Sequence, residues 1–381
     1  MTRTAFVHAE GGPSYHLGDD HPMTPLRRQL AVDLIRAYGL DRHPDVVPIT
    51  PQPATDAQIE RAHAPAYVAA VQRYSVHPAL ASAWEASQWG LAAGGDTPAF
   101  EGMHEAAAAI CGASIAGALA VWEGRADQAF VASGGLHHAM ANRAAGFCIY
   151  NDTAVAIQAL LDAGAERVAY IDIDVHHGDG TQWIFFEDPR VLTCSVHETG
   201  RYLFPGTGGI AERGVGAAEG TAINIPLPPY AGDRPYLRAI EDVILPAVAE
   251  FGPDVIVTQD GADPHHAHLQ VTMSAFPRAY RALHELARAE AAGRWVALGG
   301  GGYTFQVVPR AWTMLFAEML GVELDDEIPE AWWSAGERTL GVPLPRRMSE
   351  DPEPEVSMEE RIRADVEGDR VVDEVRALFL G

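Results

Sequence analysis

The sequence predicts an α/β fold: a single domain with a central parallel sheet flanked by helices, and an active site at the C-terminal ends of the strands. Three observations carry this prediction. Short apolar runs alternate with helical patterns. The runs are of strand length and continuously apolar, as strands buried on both faces require. Each leads into a polar or glycine-rich cluster, and open parallel sheets hold their ligands beyond the carboxyl ends of the strands.

The runs are 128–133 (QAFVAS), 167–173 (RVAYIDI), 190–196 (RVLTCSV), 254–259 (DVIVTQ) and 294–298 (RWVAL). Helical patterns occupy 103–124, 151–163, 234–251 and 276–292, and Asn151-Asp152 supplies an N-cap for the second. Residues 341–357 (GVPLPRRMSEDPEPEVS) read as a Pro-rich acidic linker. Residues 358–380 form an amphipathic helix, apolar at Val371, Val372, Val375, Leu378 and Phe379, which docks on the body or makes a subunit contact. The expected organisation is a catalytic domain over 1–340 and an appendage over 341–381.

Composition excludes several function classes. All 27 basic residues are arginine, so mechanisms that need a lysine of the protein's own (a Schiff base, a P-loop lysine, a Ser-Lys dyad) are excluded. A formal charge of −25 argues against nucleic acid, which needs a basic face. A lysine-rich membrane anchor is excluded on the same ground. Cys111, Cys148 and Cys194 are few and scattered, which suggests a reducing compartment and not a disulfide framework. With no apolar core of signal-peptide length near the N-terminus, the expected location is cytoplasmic.

The chemistry gathers at four strand ends: Gly134-Gly135-Leu136-His137-His138, Asp172 through Gly180, Asp260 through His266, and Gly299 through Tyr303. In the second cluster, strand alternation places Asp172, Asp174 and His176 on one face. Two carboxylates and an imidazole so spaced need compensation, and a divalent cation supplies it. Asp174 and His176 would be ligands, with Asp263 the natural third; such a set suits Zn²⁺ or Fe²⁺ with an open position. His137 and His138 read as a general base and a second acid or electrostatic group, each needing a carboxylate on its far nitrogen; Asp172 and Asp179 fit. The glycine run lacks the GxGxxG spacing and following lysine of a phosphate loop, and reads instead as presenting the Tyr303 hydroxyl to an oxyanion.

These residues resemble the arginase/deacetylase superfamily, most closely the zinc-dependent histone deacetylase family and its bacterial acetoin-utilisation branch. The resemblance runs from about Tyr15 to about residue 340. It includes Tyr15 through Arg27, Gly94 through Pro98, Gly135 through Ala139, Gly146-Phe147-Cys148, Asp172 through Gly180, Phe204 through Gly208, and Gly299 through Tyr303, in the family's order. By similarity Asp174, His176 and Asp263 are the metal ligands and His138 is the general base, paired with Asp179. His137, paired with Asp172, is its companion near the leaving amine, and Tyr303 polarises the carbonyl. Phe147 and Phe204, with Gly146, wall the acyl-lysine tunnel; Asp96 holds the substrate backbone; Arg27 lies in the internal cavity linked with acetate release. The resemblance also implies a structural K⁺ or Na⁺ at Asp172, Asp174, His176, Ser195 and Val196, and an outer one at Phe185, Asp188 and Val191.

The family implies removal of acetyl groups from acetyl-lysine in proteins or peptides, with an acyl-CoA synthetase as a candidate partner. Two other readings compete: an acetylpolyamine amidohydrolase, which an acidic chain suits, and a catalytically impaired acyl-lysine or metal-binding module. The second is motivated by one departure. After Asp263 the segment through Thr272 is about four residues shorter than in the family and lacks the Asp-Pro-Leu that supplies an apolar tunnel wall. His265, His266 and His268 occupy this stretch; they read as surface residues, with a shift of Asp263 or an adventitious metal contact as the alternative.

Overall fold

The computed structural model describes residues 2–8, 14–81, 83–265, 268–353 and 356–381. Eight strands form one sheet: β1 (Thr4–Val7), β2 (Val46–Ile49), β3 (Gln128–Val131), β4 (Val168–Asp172), β5 (Val191–Glu198), β6 (Ala222–Leu227), β7 (Val255–Gln259) and β8 (Trp295–Leu298). The order is β2-β1-β3-β8-β7-β4-β5-β6, and every pairing is parallel.

The five strands expected from the apolar runs are the contiguous centre of this sheet, β3-β8-β7-β4-β5. Alternate residues of each supply opposite cores. Val168 and Tyr170 of β4 face the helices Met103–Trp122 and Asp152–Asp162, while Ala169 and Ile171 face Ala275–Glu290 and Val308–Leu320. Both layers are apolar, so these strands read as unbroken hydrophobic runs. The strands missed are the edge strands β2 and β6 and, next to β2, β1. β2 is half-exposed and contains Pro48, β1 has only four residues, and β6 carries Asn224 and Pro226. The region 234–251 is helical but passes through a π-turn over Ala239–Ile244.

Helix Met103–Trp122 is long and apolar enough to cross a membrane, but most of it is buried within the fold against β1, β3 and helix Asp152–Asp162. The proline-rich segment read as a linker lies, over its described part, on the body. Leu344 and Met348 are buried with Leu30, Leu34, Ile328 and Trp332. The buried Arg310 guanidinium donates to the carbonyls of Arg347, Met348 and Glu350. Helix Met358–Phe379 opens with a capping box between Ser357 and Glu360. Its Val372 and Val375 join the sheet's second core, and Arg238 reaches Asp369 and Asp373 on it.

Candidate active site

The carboxyl ends of β3, β4, β7 and β8 converge on one cluster. β4 stops at Asp172, one residue earlier than the run 167–173 suggests, so Asp174 and His176 sit in the following loop and not on an extended strand. They still share a side. Their ligand atoms and one from Asp263 lie within 4.8 Å of one another. His176 Nδ1 is 3.0 Å from Asp174 Oδ1 and 3.3 Å from Asp263 Oδ2. Gln259 Nε2 and the Gly301 amide donate to Asp174 Oδ2 at 2.7 and 2.9 Å. The amides of Val175 and Gly302 donate to Asp263 at 3.2 and 3.1 Å. Gly301 has to be glycine, because a Cβ there would stand 2.4 Å from Asp263 Oδ2 and 2.5 Å from Asp174 Oδ2.

The chemistry of this donor set fits a divalent cation. Burial, reinforced by the charge of Asp174, pushes the Asp263 carboxyl above its usual range. Two buried carboxylates and an imidazole so close are stable together when a cation sits among them, and an O, N, O set is one that Zn²⁺ or Fe²⁺ accepts.

Beside the triad lie two histidines, each backed by a carboxylate. His137 Nδ1 is 2.7 Å from Asp172 Oδ2, and His138 Nδ1 is 2.8 Å from Asp179 Oδ1. Their Nε2 atoms face each other at 3.0 Å. Burial opposes a charge on His137, but Asp172, Asp174 and Asp179 outweigh it and lift its pKa to about 9. Burial and the neighbouring His137 push His138 down to about 4, against the pull of Asp179. Asp179 on Nδ1 leaves Nε2 as the acceptor of a neutral His138, and the opposite shifts favour the charged form of His137 and the neutral form of His138.

Tyr303 follows the glycine run. Burial and Asp263 push its phenol well above its usual range, so it stays protonated and can donate. Arg27 is buried beneath it. Its guanidinium donates to the carbonyls of Gly300 and Gly302 at 2.7 and 2.9 Å and stacks over the Tyr303 ring at 5.7 Å. Two phenyl rings pack against these groups. Phe147 meets Tyr303 edge-on at 5.6 Å, and Phe204 lies 5.0 Å from His138 and 6.5 Å from His176. Phe147 holds φ +67° behind Gly146, where a Cβ would collide with the His138 ring. Asp96 is exposed at the rim, and its Oδ2 accepts from the Gly146 amide at 2.9 Å.

Of the residues expected for the inner monovalent cation, Ser195 is the register partner of Asp172, Val196 follows it, and Ser195 Oγ meets His197 Nδ1 at 2.8 Å. Phe185, Asp188 and Val191 lie apart from the cluster, in the turn leading into β5, and the Asp188 carboxylate is engaged by Arg190. His265 corrects the expectation of a surface residue: it is buried, with Nε2 2.9 Å from Asp351 Oδ1. His268 is half-buried, its ring 5.9 Å from that of His176. His266 lies outside the described residues.

Several supporting residues were not singled out from the sequence. Asp152, read as part of an N-cap, is fully buried and accepts from Ser114 Oγ and from the amides of Gly135 and Leu136, fixing the loop that carries the histidines. Asn151 caps the helix as expected and also donates to the carbonyls of His137 and Ala139. Tyr170 donates to Asp172, Gln259 to Asp174, and Tyr15 to the Phe147 carbonyl.

A parallel eight-stranded sheet with this cluster at its carboxyl edge defines a protein of the arginase/deacetylase fold. Residues 21–319 match the model of the histone deacetylase domain, and the chain belongs to that deacetylase family of hydrolases. It is similar to the acetoin utilization protein AcuC of Bacillus subtilis (strain 168), with 40% identity over 355 residues, covering 92% of this chain and 90% of that protein. It is also similar to the proteins of the same name from Staphylococcus xylosus (36%, covering 92% and 91%) and Staphylococcus aureus strain MRSA252 (35%, covering 91% and 90%).

Proposed function

We propose that the chain is a zinc-dependent protein-lysine deacetylase of the cytoplasm that releases acetate from N-ε-acetyl-lysine, with an acyl-CoA synthetase as a candidate substrate protein. The observation that carries this reading is the pair His137 and His138, each backed by a buried carboxylate on Nδ1 and with Nε2 atoms 3.0 Å apart, beside the Asp174-His176-Asp263 triad. A divalent cation in the triad supplies Lewis acidity, polarising a carbonyl and lowering the pKa of a water towards ~7.

The chain's own groups do the rest. His138 Nε2, neutral and oriented by Asp179, accepts the proton of the attacking water. The Tyr303 hydroxyl donates to the oxygen that gains charge as the carbonyl becomes tetrahedral. His137, charged and held by Asp172, is the acid beside the departing lysine amine. Phe147 and Phe204 offer apolar walls to the lysine methylenes, and Asp96 offers a carboxylate to the substrate backbone at the rim. Monovalent cation sites at Ser195 and Val196, and at Phe185, Asp188 and Val191, complete the proposal.

The test supplies metal-loaded protein with an acetyl-lysine peptide and with N-acetylated polyamines. Preferential hydrolysis of the peptide is expected. A preference for the polyamine contradicts the substrate class, and turnover of neither, with metal bound, contradicts the enzyme.

A further inference from the structure

The loop that carries Phe204 is tied to the metal-ligand segment through residues with no part in the chemistry above. The Phe204 ring lies 5.0 Å from that of His138 and 6.5 Å from that of His176. Bonds inside its loop are local: the Tyr202 and Leu203 amides donate to Thr199 O, and the Gly206 amide to Leu203 O. The loop's hydrogen bonds to the body, among the described residues, lie at its two ends. At one end the Thr199 amide donates to Leu227 O at 2.8 Å. At the other, Thr207 Oγ1 meets His177 Nδ1 at 2.9 Å, and Gly208 O accepts from His197 Nε2 at 3.0 Å. Both histidines are buried, and His177 follows His176 in the chain.

Glu212 closes this second end. Its carboxylate accepts from the Gly208 amide at 3.0 Å, from the Gly209 amide at 3.2 Å and from Gln182 Nε2 at 2.8 Å. The last bond fixes which way the buried Gln182 amide points, because a carboxylate can only accept. Gln182 Oε1 is then left to His177 Nε2, at 3.1 Å, and to Asn224 Nδ2, at 2.7 Å. One carboxylate thus holds the end of the Phe204 loop directly, and the residue beside His176 through a single amide. Hydrogen bonds to an ionised acceptor are stronger than neutral ones.

We infer that Glu212 is a positioning residue: it locks the Phe204 loop to the segment bearing His176, and so fixes the gap between the Phe204 ring and the metal-ligand triad. This rests on the deacetylase reading above, in which the acetylated side chain enters beside Phe204. The His176 segment has supports of its own, since the Glu198 amide donates to Val175 O at 2.9 Å and Gln259 and Gly301 hold Asp174. Without Glu212 the Phe204 side is therefore the one that gives. A glutamine at 212 offers one acceptor oxygen in place of two. Turned to the glycine amides, it sets its own NH2 against that of Gln182.

The test measures kcat and KM for an acetyl-lysine peptide with full-length, metal-loaded protein. In Glu212→Ala KM rises ~10-fold while kcat stays within ~2-fold, the pattern of a binding surface displaced from an intact reaction centre. Metal content equals that of the parent. Glu212→Gln, which keeps one acceptor, shows the same pattern with a smaller rise in KM, and replaces the alanine variant should that one not fold. A KM within ~2-fold of the parent's in the folded variants, or a fall in kcat at unchanged KM, overturns the positioning role and leaves the deacetylase reading standing. A parent protein that hydrolyses no acetyl-lysine peptide overturns the deacetylase reading and the positioning role with it.

Discussion

His138 and Tyr303 carry the sharpest expectations at the scale of single residues. Removing the base (His138→Ala) or the oxyanion donor (Tyr303→Phe) should lower kcat by ~10²–10³-fold while leaving the thermal midpoint near that of the parent. Either variant working at near-normal rate contradicts the role given to that residue. His63 makes a prediction about stability. Its ring sits between the Met140 carbonyl and the Asn151 amide, and burial lowers its pKa to about 4. An unfolded histidine titrates near ~6.5, so between these values the unfolded chain binds more protons. The stabilisation is full above about 6.5 and lost as pH falls through about 4, a swing of roughly 3 kcal/mol. Urea unfolding at several pH values should show a shallower slope in His63→Gln; equal slopes contradict it. The triad, the two histidines and Tyr303 were legible in the sequence because their residue types are costly at the end of a buried strand. Gln259 and Tyr170 were not, because an amide or a phenol in an apolar strand looks like packing until its partner across the sheet is known.

Asp152 acts at the scale of the element, joining helix Asp152–Asp162 to the loop after β3. Asp152→Ala would orphan the Gly135 and Leu136 amides and Ser114 Oγ inside the core. The expected cost is roughly 3 kcal/mol of stability. Displacing His137 and His138 should also lower kcat by ~10-fold or more, since small misplacements of catalytic groups are expensive. A destabilised variant with full kcat would show that the loop holds its shape without this carboxylate. The same scale explains which strands could be read in advance. β4 and β7 are covered by helices on both faces and are apolar throughout, whereas β2 and β6 close the sheet's edges with Pro48 and Pro226 in sequences that resemble loops. Edge strands tolerate proline because an outer face of their ladder has no partner.

For the whole molecule, the C-terminal helix matters as a cover. Val372 and Val375 are fully buried against the sheet's second core, and Arg238 pairs with Asp369 and Asp373. Deleting residues 358–381 should cost roughly 3 kcal/mol or more from the two valines alone, seen as a lower urea midpoint. An unchanged midpoint contradicts the helix as part of the body. The acidic surplus acts at this scale as well: under the proposed function it would disfavour nucleic acid and suit substrates whose acetylated residue lies among positive charges. The proposed function requires one divalent cation in the Asp174-His176-Asp263 triad. The most direct measurement is acetate released from an acetyl-lysine peptide by chelator-stripped protein as Zn²⁺ is titrated back. Activity should rise linearly and level off at one bound ion per chain, with one acetate released for each lysine uncovered. No acetate from folded protein carrying its full complement of metal, or full activity in the stripped protein, would contradict it.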